Sequence, residues 1–212
     1  MSQLSFRAHH SALTRLWHWA DLAVVTGLLI TVLLRKTVLS ARGNATLIQS
    51  QLQDLGATVT VDQSKKVAAL LRDNLWDWHV YLGIALAVLL GLRILAELTS
   101  PAEERLLHKL KAGVAAWRAG GDKEAKHFTV VKASYIVFYA CLAFMAASGL
   151  TMEYGEGLGA SEGLLDAVAE VHETMLYFFL AFITLHGIGV VRSELTGAPG
   201  LVSDMVNGGP KS

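Results

Sequence analysis

The sequence predicts an all-α membrane protein, a four-helix transmembrane bundle with both termini inside, an extra helical outer loop and an inner interfacial helix. Three observations predict it. The 212 residues are 53% hydrophobic and 17% charged, too apolar for an ordinary soluble domain of this size. Four segments are long and apolar enough to cross a bilayer as helices, at about 16–34, 78–96, 130–152 and 171–191. The basic residues, finally, are unevenly divided between the two sides that those spans define.

With the N-terminus inside, the inner segments hold twelve cations: Arg7, Arg15, Arg93, Arg105, Lys109, Lys111, Arg118, Lys123, Lys126, Lys132, Arg192 and Lys211. The outer segments hold six: Arg35, Lys36, Arg42, Lys65, Lys66 and Arg72. That asymmetry places both termini in the cytoplasm. The 152–170 loop agrees, because it carries Glu153, Glu156, Glu162, Asp166 and Glu170 and no basic residue. The whole chain, 1–212, reads as a single membrane domain.

Composition also excludes several classes. Eighteen basic and eighteen acidic residues balance to a net charge of zero, so the total implies no nucleic-acid partner. Cys141 is the only cysteine and lies in an apolar run, which leaves no disulfide framework and no Cys-based metal site. No CxxCH motif is present for covalent haem attachment. The first apolar segment is about 19 residues long with no small-residue cleavage site after it, so it reads as a span and not a signal peptide.

In chain order, the first span carries His18 and Asp21 near its inner end. The outer loop that follows, about 36–77, is too long for a simple turn. Asn44–Leu55 reads as a short amphipathic helix ended by Gly56, then an extended TVTV piece, then a second helix from Asp62 as N-cap to Leu75. This hairpin suits a lid over the bundle mouth or a docking surface for a periplasmic partner. The second span opens on His79 and carries Arg93 near its inner end. In the inner loop, Leu106, Leu107, Leu110, Val114 and Trp117 recur at helical spacing opposite Arg105, Lys109 and Lys111. That pattern predicts an interfacial helix stopped by Gly120 and Gly121. The third span has no histidine. The fourth has two, His172 and His186, in a run free of charge from Thr174 to Val191.

Ionisable groups inside a span are costly and mark function by default. His172 and His186 are 14 residues apart. At 100° and 1.5 Å per residue they lie within roughly 40° of one face and about 21 Å apart along it. Depth then pairs His18 with His186 at the inner level, and His79 with His172 at the outer level. Two such imidazole pairs are what bis-histidine coordination of two stacked, non-covalent b haems requires, each iron taking one nitrogen from each of two helices. Zinc fits worse, since two nitrogens leave its tetrahedral shell half empty. His9, His10, His108 and His127 fall in tails or between spans and read as ordinary surface histidines.

Arg93 shares the face of His79 at the inner level, where it or Arg15 could pair with a haem propionate. A snorkelling, positive-inside role explains both arginines equally well. Asp21, one turn from His18, could orient that imidazole or deliver protons to a quinone. Tyr177, Phe178, Phe179 and Phe182 lie between the two histidine levels and would fill the space around the haems. Gly27, Gly83, Gly91, Gly149, Gly187 and Gly189 would let a flat macrocycle, or simply another helix, approach closely.

These residues together resemble the four-helix di-haem cytochrome b group. It includes the prokaryotic cytochrome b561 proteins and the b-type subunits of nickel–iron hydrogenase, formate dehydrogenase and thiosulfate reductase. The resemblance rests on Arg15-Leu16-Trp17-His18-Trp19, on His79 opening the second helix and on the His172/His186 pair, and it covers about 14–192. It implies a multi-pass protein of the bacterial cytoplasmic (inner) membrane with lipid around it. Two haem b groups would pass electrons between a periplasmic dehydrogenase, hydrogenase or cytochrome c and a mobile quinone, whose site neighbours His18, Asp21 and His186. The protein would then be an oxidoreductase subunit, with a homo-oligomer compatible. A stand-alone superoxide:quinone oxidoreductase is the alternative within the group. It calls for an electropositive outer face, whereas the six outer cations face ten acids: Asp54, Asp62, Asp73, Asp77, Glu153, Glu156, Glu162, Asp166, Glu170 and Glu173. From another class, a cofactor-free membrane anchor or transporter would be colourless, and a small-ion transporter would carry more acids in mid-span.

Overall fold

A computed structural model describes residues 11–120, 123–196 and 200–208; Arg7, His9, His10, Gly121 and Lys211 lie outside them. The described residues form helices joined by short turns and loops, with no strand among them. The α-helices are α1 (Ala12–Lys36), α2 (Ala41–Asp54), α3 (Val61–Thr99), α4 (Leu106–Arg118), α5 (Lys123–Tyr154), α6 (Glu162–Thr196) and α7 (Leu201–Asn207). Short 3₁₀ turns at Ala102–Glu104 and Glu156–Leu158 precede α4 and α6. Helices α1, α3, α5 and α6 are the four candidate membrane spans.

The spans run well past the limits expected from hydropathy. Helix α3 has 39 residues, about 58 Å at 1.5 Å per residue against a hydrocarbon core of about 30 Å. The expected break between an outer-loop helix and the second span does not exist. No Gly or Pro falls between Val61 and Leu82 to end the helix, so one helix continues through Leu75-Trp76-Asp77 into the membrane. Its cap is also two residues before the expected place. Thr60 Oγ1 accepts from Gln63 N (3.2 Å) while Gln63 Oε1 accepts from Thr60 N (2.8 Å), a reciprocal capping box that puts Asp62 in the first turn. Helix α6 likewise starts at Glu162, so much of the expected 152–170 loop is helix carrying Asp166 and Glu170.

Glycine stops fall where expected. Gly56 after α2 and Gly120 after α4 adopt φ of 82° and 84°, left-handed values that glycine takes without a Cβ penalty.

The chain divides into two compact units, one from 21–86 and the other from the described residues of 1–20 and 87–212. In the first, Gly27 lets α1 and α3 approach closely, since a Cβ there would lie 2.9 Å from Leu82 Cδ1. Ala45, Ser64 and Ala68 are its most buried small residues. In the second, α4 packs along α5 and α5 along α6. Gly113 of α4 is buried against α5, where a Cβ would meet Thr129 Oγ1 at 2.8 Å and Phe128 Cδ1 at 2.9 Å. Leu142 is fully buried, and Phe138 stacks on Phe182 (4.7 Å) and meets Phe179 edge-on (5.9 Å). Tyr177 is not part of this aromatic core; at 68% exposure it points outward. Large apolar side chains such as Leu92, Leu95, Leu185 and Ile188 are exposed along the spans, as a lipid-facing surface requires.

Candidate functional site

The first and last spans bring His18 and His186 together, with ring centroids 6.4 Å apart and planes at 63°. Two imidazoles on opposite sides of one ion, with metal–nitrogen bonds of about 2.0 Å and about 1.2 Å from each nitrogen to its ring centre, would stand roughly 6.4 Å apart. The interplanar angle is free, because each ring can turn about its metal–nitrogen bond without changing that spacing. Phe182, one turn before His186, lies parallel to it at 6.1 Å, and Trp19 meets His18 edge-on at 5.7 Å. His186 is exposed and His18 half-buried.

His79 and His172 are each held by a hydroxyl. Thr31 Oγ1 lies 2.8 Å from His79 Nδ1, and Ser148 Oγ lies 2.7 Å from His172 Nδ1. Each hydroxyl has one proton, and each donates it to a carbonyl of its own helix: Thr31 to Leu28 O (2.7 Å), Ser148 to Phe144 O (2.7 Å). The oxygens are therefore left to accept, and the imidazoles donate from Nδ1–H. This assigns both rings, from the hydrogen-bond network, to the tautomer with Nδ1 protonated and Nε2 the unprotonated, metal-ligating nitrogen. On this donor chemistry, and on the 6.4 Å span of the other pair, these histidines are chemically suited to hold b haem, which they would bind through an imidazole nitrogen. Neither hydroxyl was singled out by sequence; the available signal was a Thr or Ser in an apolar span, which Thr26, Ser134 and Thr151 share.

Arg93 is already engaged. Its Nε donates to Tyr139 Oη (3.1 Å), its guanidinium pairs with Glu97 (3.4 Å), and Trp17 lies 6.0 Å away. Trp17 in turn donates to Leu89 O (2.8 Å). Arg15 lies against Gly208, just beyond α7, and Trp19 Nε1 donates to Met205 O (3.0 Å) within α7. Helix α7 is anchored at its other end by Glu194, whose carboxylate accepts from Gly200 N (2.8 Å) and Val202 N (3.1 Å). Asp21 is buried, at 6% exposure, and its Oδ1 has no hydrogen-bond partner among the described residues. A buried carboxylate oxygen left this way is uncommon and calls for a functional account.

The sequence matches the family model described as prokaryotic cytochrome b561 over residues 9–208. The chain belongs to that family. No curated protein and no solved structure matches it. Membership of the cytochrome b561 family makes it a bacterial membrane protein that binds b haem and transfers electrons across the membrane. When bound, the haem supplies one-electron exchange between ferric and ferrous iron.

Proposed function

We propose that this cytochrome b561 holds two b haems, one between His18 and His186 and one between His79 and His172, and relays electrons between a periplasmic redox partner and the quinone pool. The observation that carries this reading is the 6.4 Å separation of the His18 and His186 rings. The Nδ1–H tautomers of His79 and His172 support the second pair. The protein sits in the inner membrane with both termini cytoplasmic, and 1–212 works as one domain. Arg15 and Arg93 stand at the inner level, where a haem propionate would pair with a guanidinium.

Quinone is bound at that inner level. Its two-electron reduction to quinol consumes two protons, and Asp21 is placed to pass them, being buried one turn from His18 with an uncommitted oxygen. The reading as an electron-transfer subunit, with a dehydrogenase, hydrogenase or cytochrome c outside, is favoured over superoxide oxidation by the outer charges. Three of the six outer cations are engaged locally: Lys65 with Asp62 (3.5 Å), Arg72 with Asp73 (2.9 Å) and Arg35 over Trp76 (3.9 Å).

The test is quinol added to the protein in vesicles, with haem reduction followed optically. Reduction should survive in His172→Ala and fail in His186→Ala, and Asp21→Asn should slow it at least tenfold with haem content unchanged. Equal reduction in both histidine variants would remove the inner quinone site. A superoxide pulse that reduces the haem faster than quinol does would favour the oxidase.

A further inference from the structure

His79 stands at the end of a stacked column. Trp76, three residues earlier on α3, lies against its imidazole with centroids 4.4 Å apart and planes within 5°. The Arg35 guanidinium, from the last turn of α1, lies 3.9 Å from the centre of the same indole. Thr31, one turn before Arg35, bonds the Nδ1 of His79. Helix α1 therefore holds this histidine at two points, by a hydroxyl directly and by a cation through an indole.

A cation beside a redox centre favours the state with the extra electron, because reduction lowers the positive charge it must tolerate. Stacking keeps the guanidinium within a few ångströms of the indole face, where the ring quadrupole holds it. The indole also occupies space that water would otherwise take, so the charge is less screened along this line than in solvent.

We propose that Arg35, acting through Trp76 on His79, raises the reduction potential of the haem that His79 holds. The inference depends on the ligand assignment proposed above, and its experiment separates the two. The full chain in lipid nanodiscs is titrated redox-optically, resolving two components. His79→Ala should abolish one of them. Arg35→Gln should lower that same component by about tenfold in its reduction equilibrium, or about 59 mV for one electron, and leave the other in place. Arg35→Lys, which keeps the charge, should retain most of the potential, and Trp76→Phe should fall between at full haem content. The inference is overturned if Arg35→Gln moves neither component, moves only the other one, or if Arg35→Lys matches Arg35→Gln. Retention of both haems by His79→Ala overturns the ligand assignment and the inference together.

Discussion

Thr31 and Ser148 do similar work on different helices. Each commits its proton to its own backbone and offers an oxygen to an imidazole Nδ1–H. Partners of this kind orient a metal-bound histidine and typically change metal affinity by about 10–100-fold. Thr31→Val and Ser148→Ala should therefore weaken retention of one haem by that order, measured by transfer to an apo-haem acceptor, while Thr31→Ser restores it. Unchanged retention in both would leave the hydroxyls as local helix bonds only. The histidines and Asp21 were legible in the sequence because ionisable residues are rare in spans. The hydroxyls were not, since Ser and Thr in helices commonly bond their own upstream carbonyls. Nothing local shows that Thr31 also faces a histidine 48 residues away, or Ser148 one 24 away. The Arg35–Trp76–His79 column is hidden for the same reason.

At the scale of elements, hydropathy finds the membrane-crossing part of each helix but not where the helix ends. Helix α3 continues through Leu75-Trp76-Asp77 because amphipathic and apolar turns meet without a breaker. The stops at Gly56 and Gly120 were legible, as glycine alone takes those φ values cheaply. Close helix approach was legible only as a set of candidates. Of the glycines in spans, Gly27 meets a flexible leucine tip, whereas Gly113, which the sequence did not mark, meets the buried Phe128 and Thr129. Gly113→Ala should thus destabilise the α4–α5 contact by about 1–3 kcal/mol, as overpacking does. Gly27→Ala should cost less, because Leu82 can turn aside. Thermal unfolding in detergent compares them, and a Gly27→Ala loss equal to that of Gly113→Ala would contradict the packing described.

For the whole molecule, the apolar composition and four apolar runs were enough to read an all-α membrane protein, and the family match agrees. The proposed pairing of the ligands comes from depth in the sequence, through the 14-residue spacing on α6 and one histidine at each of two other span ends. The structure adds a distance for one pair and a tautomer for the members of the other. The proposed function rests on two one-electron centres in series, one at each level of the membrane, so the proposal is a count and an assignment. Haem per chain, measured on the purified protein and on His172→Ala and His186→Ala, tests it most directly. The account predicts two haems in the parent and one in each variant, with different potentials for the haem that each variant keeps. One haem or none in the parent, or the same haem surviving in both variants, would contradict it.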